Sequence, residues 1–205
     1  MKKYFKRVVV DPESLKDILN RIPELKKYIK DNEQVSIRIN TDMYSCLVHT
    51  IISQQLASAA VDTIWNKLVS HFKKITAKKM ANADYQVLCS FGLTSTKASL
   101  IKKLAQDIKD KKLKIKKFKK MSDQEITDVL KQYKGVCNWT VENLLIFSFY
   151  RKNIFPYSDY GIAKAMKLIF NVDKISEKQI QYIYEKCNGV LTTLTICLWF
   201  IANNN

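Results

Sequence analysis

Apolar residues recur three and four positions apart along most of the 205-residue chain, a spacing that predicts amphipathic helices. Asp11 and Pro12 mark the first helix start, because aspartate caps helices and proline fits the first helical position. Pro23 predicts a kink or a break in the same segment. Residues 34–42 are polar and predict irregular structure. Since no segment alternates convincingly between apolar and polar positions, we predict an all-α fold of about ten helices.

Helix boundaries are clearer after residue 42. Ser122 and Ser176 each stand three residues before a glutamate or glutamine, which is the pattern of a capping box. Residue 139 is followed by a strongly apolar run that predicts a buried helix. The helices predicted from these features include 43–54, 95–109, 141–150, 159–170 and 191–200.

The charge balance favours a polyanionic partner. The chain has 35 lysine and arginine residues against 19 acidic ones, a formal net charge of +16. Residues 109–120 alone contain eight lysines. A lysine-biased composition is the alternative interpretation, and a lysine run is more often a solvated face than a specific contact. No apolar run is long enough for a membrane span and no signal-peptide core is present, so we expect a soluble, intracellular protein.

The cysteine and histidine content argues against a metal centre built from side chains. The five cysteines are scattered without zinc or iron–sulfur spacing, and the chain has only two histidines. A disulfide framework is not expected in an intracellular protein of this size. We therefore expect most of these cysteines to be buried thiols.

A glycine-containing hairpin is predicted at about 131–141. Its backbone amides and the N-terminus of the following helix would form a site for phosphate, and Lys131 and Lys134 would add positive charge. Such contacts hold DNA without reading its sequence. From these residues alone, an ordinary turn between helices with Gly135 at the helix end is an open alternative.

One carboxylate stands out between an aromatic loop and a helix. Asp159 has the position of a helix cap, and as an ionised group it could also stabilise positive charge developing on a sugar. Aromatic residues that could stack on a base lie in or near these segments, although core packing is the more frequent role of any one aromatic. They are Trp139, Tyr160, Trp65, Tyr44 and Tyr157.

Four segments in order, 51–60, 91–98, 135–142 and 155–161, resemble the signatures of the helix-hairpin-helix (HhH-GPD) DNA glycosylases. Within that superfamily the chain is most similar to the AlkA-type 3-methyladenine DNA glycosylases. The resemblance implies a two-lobed all-α fold that binds damaged double-stranded DNA in a cleft between the lobes and flips the damaged nucleotide into a pocket. By default we expect a monomer, located in the cytoplasm or nucleoid of a prokaryote or in the nucleus of a eukaryote.

The resemblance assigns roles to particular residues. Residues 43–205 would form the glycosylase region, and 1–42 an N-terminal helical segment packing with the terminal lobe. Asp159 matches the essential aspartate, and the base pocket would comprise Trp139, Tyr160, Trp65 and Tyr44. DNA-binding positions would be Gln54, Gln55, Lys134, Gly135, Val136, Cys137, Asn138 and Thr140. No cofactor would be required, but a structural Na⁺ or K⁺ could bind the backbone carbonyls of Lys131, Tyr133 and Val136.

Trp139 also predicts which kind of glycosylase this is. Bifunctional relatives carry a nucleophilic lysine at that position, whereas tryptophan cannot form a Schiff base, so we predict hydrolysis by water without strand cleavage. The leading hypothesis is excision of alkylated purines such as 3-methyladenine in base excision repair. The alternatives are a glycosylase for deaminated or oxidised bases, or a non-catalytic DNA-binding module. Two departures from the family's pattern bear on the non-catalytic alternative: Cys137 replaces a hairpin glycine, and residues 191–194 replace a Pro-Tyr-Arg motif.

Overall fold

The computed structural model describes residues 5–204 and contains two compact units. Residues 40–149 form the central unit, and residues 5–39 with 150–204 form the terminal unit. Within the described chain there are eleven α-helices, two 3-10 turns and one two-stranded sheet. The predicted all-α class is therefore confirmed, with the small sheet as an addition.

The terminal unit packs its helices around one apolar core. Leu15, Ile18 and Leu19 on the first helix are fully buried, as are Ile162 and Met166 on the helix after Asp159. The last helix packs against both. The elements of this unit are β1 Phe5–Val9, α1 Pro12–Arg21, a 3-10 turn Pro23–Lys27, β2 Ser36–Asn40, α9 Tyr160–Phe170, α10 Glu177–Cys187 and α11 Leu191–Asn204.

The central unit is organised around α2, which packs against α3, α6 and α8. Leu47, Val48, Ile51 and Ile52 of α2 are completely buried, because they recur at helical spacing on its inner side. The elements are α2 Met43–Ser53, α3 Ser58–Phe72, α4 Ala77–Asn82, α5 Tyr85–Ser90, α6 Ser95–Lys109, a 3-10 turn Ile115–Lys120, α7 Asp123–Leu130 and α8 Asn138–Phe149.

Two strongly apolar helices, α8 and α11, are buried in the cores of their own units. Helices that are apolar on most sides are expected either in a protein core or in a membrane. In the described part of the chain, no helix combines the length and apolar character needed to cross a membrane.

The local helix signals in the sequence are confirmed. The Asp11 carboxylate accepts the Ser14 amide at 2.8 Å at the start of α1, and Pro23 ends that helical segment and begins a 3-10 turn. Ser122 and Ser176 form complete capping boxes at the starts of α7 and α10. These signals are reliable because each satisfies backbone amides that a helix start leaves without partners.

The prediction of irregular structure at 34–42 is wrong, because this segment contains β2. Ile37 and Ile39 do alternate with Arg38, but the alternation covers only five residues and its partner strand lies about thirty residues earlier. The N-terminal segment up to residue 42 thus contains strands as well as the predicted helix. Residues 1–4 of that segment lie outside the described residues.

The lysine-rich segment 109–120 alternates between core and surface. Leu113, Ile115 and Phe118 are buried, whereas all eight lysines are exposed. The three apolar anchors hold the 3-10 turn on the central unit, and the lysines form a basic surface on its outer side. Contact between these lysines and DNA stays a prediction.

A partly buried carboxylate lies on α8. Burial raises the pKa of Glu142 to about 7, because the surroundings solvate its charge poorly. Below the unfolded-state pKa of 4.5 the group is protonated in both states. As the pH rises from 4.5 to the folded-state pKa, the unfolded state ionises more readily than the folded state. The free energy of unfolding therefore decreases over this range.

We therefore expect Glu142→Gln to stabilise the protein at about pH 8 by ~1–2 kcal/mol relative to wild type, allowing for partial exposure of the side chain. At about pH 5 the two proteins should differ little, since a protonated glutamate resembles glutamine. Denaturant unfolding of both proteins at the two pH values measures this difference. An equal effect of the substitution at both pH values would contradict the assigned burial of the charge.

Candidate functional site

The predicted hairpin joins α7 to α8 in the central unit. The turn is held by hydrogen bonds from the Tyr133 amide to the Leu130 carbonyl (3.1 Å) and from the Val136 amide to the Tyr133 carbonyl (3.0 Å). Gly135 adopts a φ of +99°, a conformation that side chains strongly disfavour. Cys137 does not take a positive φ. The replaced glycine therefore leaves this turn without strain at Cys137.

The hairpin presents backbone amides outward. In the part of the chain that the structure describes, no protein acceptor receives the amides of Gly135, Cys137 or Asn138. All three residues are exposed, as are Lys131 and Lys134. Unsatisfied amides at a helix N-terminus beside positive side chains form a binding site for phosphate. The Val136 side chain is buried and its amide donates to the Tyr133 carbonyl, and its predicted contact with DNA stays a prediction.

The same turn contains the carbonyls predicted to hold a monovalent cation. The Tyr133 carbonyl already accepts the Val136 amide, and its second lone pair remains suited to a cation. Neutral backbone oxygens are appropriate ligands for Na⁺ or K⁺, so the donor chemistry of Lys131, Tyr133 and Val136 fits the group. The cation stays a prediction.

The loop after α2 lies against the hairpin. The Gln54 side-chain amide donates to the Gly135 carbonyl (2.9 Å) and to the Thr140 hydroxyl (2.7 Å). Thr140 is fully buried and Gln54 is partly buried, although both were predicted to bind DNA. Gln55 is exposed and takes a φ of +55°.

Among the predicted pocket aromatics of the central unit, only Trp139 keeps an accessible side chain. Trp139 is partly exposed at the first turn of α8, and its carbonyl accepts a hydrogen bond from the Asn143 side-chain amide at 2.8 Å. Trp65 is 9% exposed and packs edge-on against His49, with ring centroids 4.9 Å apart. Tyr44 is 5% exposed and donates its hydroxyl to the Ile101 carbonyl. Both rings are therefore packed against the protein in this structure, and their assignment to a base pocket stays a prediction.

Asp159 lies in the terminal unit and caps α9. One of its carboxylate oxygens, Oδ1, accepts the amides of Gly161 (2.9 Å) and Ile162 (3.1 Å). The same oxygen accepts the indole N–H of Trp199 on α11 at 3.0 Å. Three N–H donors on one oxygen fix the orientation of the carboxylate. The contact between Trp199 and Asp159 could not be read from sequence.

The surroundings of Asp159 explain two small features of the motif. A Cβ on Gly161 would lie 3.2 Å from both Asp159 Oδ1 and Trp199 Cδ1, so glycine allows the indole to approach the carboxylate. Tyr160, the next residue after Asp159, is 85% exposed. A large aromatic ring with that exposure is available for stacking, as was predicted for it.

The loop that carries Asp159 is held by threonines of α11. The Thr192 hydroxyl donates to the Arg151 carbonyl and accepts the Ile154 amide at 3.0 Å, while Thr195 donates to the Ile154 carbonyl at 3.0 Å. Residues 192, 195 and 199 are three and four positions apart, so they share one side of α11. The residues that replace the Pro-Tyr-Arg motif thus anchor this loop. Helical spacing could have grouped the three residues, but not identified their partners.

The chain is similar to known DNA repair proteins over most of its length. The profile of the HhH-GPD superfamily of base excision DNA repair proteins matches residues 48–188, well over half of the chain. A Schizosaccharomyces pombe protein named DNA-3-methyladenine glycosylase 1 is 27% identical over 77% of this chain and 70% of its own. The Saccharomyces cerevisiae DNA-3-methyladenine glycosylase is 26% identical over 92% of this chain and 78% of its own.

A solved structure has the same fold. The S. pombe 3-methyladenine DNA glycosylase Mag1 in complex with abasic DNA aligns with a TM-score of 0.77 at 24% identity. The alignment covers 91% of this chain and 95% of that one.

We expect Gly135→Ala to destabilise the protein by about 1–2 kcal/mol, because alanine is strained at a positive φ and its Cβ would lie 3.3 Å from Leu100 Cδ2. Gly189 is the matched control, since it has a φ of +87° and nothing within 4 Å of a built Cβ. Gly189→Ala should therefore show the backbone strain alone, about 1 kcal/mol.

Denaturant unfolding gives the stabilities of both variants, and affinity for duplex DNA should fall only for Gly135→Ala. Full affinity in that variant would argue against the hairpin as the phosphate site.

Proposed function

Because the chain belongs to the HhH-GPD superfamily of base excision DNA repair proteins, we propose that it excises alkylated purines from double-stranded DNA. The product is a free base and an intact strand with an abasic site. Two relatives named as DNA-3-methyladenine glycosylases, which it matches over more than two thirds of their lengths, support this substrate. Such a substrate implies a place of action at the nucleoid or in the nucleus.

The observation that carries the proposal is the fixed carboxylate of Asp159. Alkylation at a ring nitrogen makes a purine cationic, so the bond between C1′ and the base nitrogen can break with its electron pair leaving on the base. The sugar then becomes an oxocarbenium-like cation. An ionised carboxylate oriented by the Gly161, Ile162 and Trp199 N–H groups stabilises that charge electrostatically.

Water completes the reaction. Its oxygen bonds to C1′ and it releases one proton, for which a carboxylate is a suitable acceptor on the way to solvent. Every group in this scheme comes from the protein, the DNA or water, so the proposed reaction requires no cofactor. Trp139 has no amine with which to attack the sugar, which favours a monofunctional enzyme without strand cleavage.

Base recognition is assigned to the exposed aromatics. The target base is inaccessible inside the duplex, so it must leave the stack before its glycosidic bond can react. Trp139 and Tyr160 present accessible rings, and electron-rich rings favour a cationic base over a neutral one. Trp65 and Tyr44 take no part in this proposal because both are buried.

DNA is held through its backbone at the hairpin. The outward amides of Gly135, Cys137 and Asn138 and the charges of Lys131 and Lys134 are suited to phosphate oxygens. A Na⁺ or K⁺ bound by the hairpin carbonyls would add a positive charge between the turn and the phosphate. The net charge of +16 supports the same partner.

The central experiment incubates duplex DNA treated with a methylating agent and measures released bases and alkali-labile sites. We expect Asp159→Asn to lower the excision rate by about 10²–10³-fold, because the carboxylate charge is lost. Asparagine caps helices as well as aspartate does, so the fold should be retained. Asp84→Asn is the matched control, since Asp84 caps α5 in the same manner through the Gln86 and Val87 amides.

Each outcome of this assay distinguishes one hypothesis. No release of alkylated bases by the wild type would exclude the proposed substrate and leave another lesion or a non-catalytic binding role. Equal rates for wild type and Asp159→Asn would exclude the assigned role of Asp159. Strand breaks without alkali treatment would contradict a monofunctional enzyme.

Trp199 is proposed as the residue that positions Asp159. We expect Trp199→Phe, which keeps an aromatic ring but removes the indole N–H, to lower the excision rate about tenfold. Affinity for DNA containing an abasic-site analogue should stay unchanged, because the ring is not assigned to DNA binding. A parallel fall in affinity and rate would indicate a general structural role instead.

A further inference from the structure

The end of α2 is held by a lysine from another helix. Lys97, on α6, donates its ammonium group to the carbonyls of Ile52 (2.8 Å) and Gln54 (2.7 Å). These carbonyls belong to the last turn of α2, where the helix leaves its acceptors without partners and where positive charge is favoured. Burial lowers the pKa of Lys97, so the ammonium is partly withdrawn from water. The backbone of 52–54 is thereby fixed.

Gln54 continues this connection into the hairpin. A glutamine amide has two protons, and here the same nitrogen lies 2.9 Å from the Gly135 carbonyl and 2.7 Å from the Thr140 hydroxyl. Gly135 lies in the turn and Thr140 in the first turn of α8, so one side chain spans the hairpin and the helix it leads into. Cys137 Sγ lies 3.4 Å from the same Thr140 hydroxyl.

Gln55 is presented differently from its neighbour. It is exposed and has a φ of +55°, which costs free energy in a residue other than glycine. Such a conformation persists only where the flanking structure imposes it. Gln54 provides that restraint on one side, since both its carbonyl and its side-chain amide are bonded to the protein.

We propose that Gln54 is a positioning residue rather than a DNA contact. The connection from Lys97 through Gln54 to the hairpin fixes the loop that carries Gln55 relative to the phosphate-binding turn. The exposed Gln55 and the hairpin can then meet DNA in a fixed relation to each other, and neither has to rearrange on binding. This inference rests on the proposed function for its role in DNA binding, but the hydrogen-bonded connection itself does not.

Hydrogen exchange in the DNA-free protein tests the connection. The Val136, Thr140 and Val141 amides are bonded within the hairpin and report on its order. Gln54→Met keeps the approximate shape of the side chain but removes both donors, and it should speed exchange of these amides about tenfold. Gln55→Met is the matched control and should leave their exchange unchanged. Amides within α3 serve as an internal reference for global unfolding.

Unchanged exchange in Gln54→Met, or equal acceleration in both variants, would overturn the proposal. Acceleration of the α3 amides to the same extent would do so too, because it would show a general loss of stability rather than a local restraint. No DNA and no excision enter this measurement. The exchange result therefore stands even where the excision assay fails, and the two failures are distinguishable.

A double-mutant cycle tests the role in DNA binding. Thr140→Val removes the hydroxyl that Gln54 bonds while keeping the side-chain shape, and Thr140 is too buried to contact DNA itself. Affinity for duplex DNA with an abasic-site analogue is measured for wild type, each single variant and the double variant. The double variant should bind no more weakly than Gln54→Met alone. Independent effects that multiply would show that Gln54 acts on DNA directly.

Discussion

The ionised carboxylate of Asp159 is the group on which the proposed chemistry depends, and its stabilisation involves much of the terminal unit. A partly buried charge needs hydrogen bonds or a counter-ion. Here three N–H donors converge on Oδ1, two from the start of α9 and one from Trp199. This arrangement ties the orientation of the carboxylate to both α9 and α11.

The loop before Asp159 is also fixed by α11. Thr192 and Thr195 bond the backbone at Arg151 and Ile154, and Trp199 reaches the carboxylate two turns after Thr192. One side of α11 therefore holds both the path of the loop and the group at its end. This explains how the chain can depart from its family's motif at 191–194 and still keep the aspartate in place.

In the central unit, side chains fix the backbone, and the proposed contacts with DNA are made by exposed backbone amides. Lys97 and Gln54 bond carbonyls, whereas the amides of Gly135 and its exposed neighbours remain directed outward. A phosphate site built from amides depends on the path of the chain more than on side-chain identity. Within the hairpin, at 131–141, Gly135 alone has a positive φ, so cysteine is acceptable at position 137.

Local physical chemistry made much of the molecule predictable from sequence. Asp11, Ser122 and Ser176 mark helix starts because a cap acts within a few residues, and the cap at Asp159 was foreseen for the same reason. The strand β2 was missed because its partner is distant in sequence. The burial of Tyr44 and Trp65 could not be read from sequence, because an aromatic side chain suits a core and a base pocket equally well.

The sequence by itself determined the helical class, the hairpin, the family and the helix cap at Asp159, since each depends on short patterns or on their order. Only the tertiary structure decided which groups meet. It brought the Trp199 indole to Asp159 across forty residues, and turned Gln54 toward the hairpin while leaving the chemically identical Gln55 exposed. Such pairings depend on how helices pack, and no local pattern specifies the partner that a side chain will meet across a core.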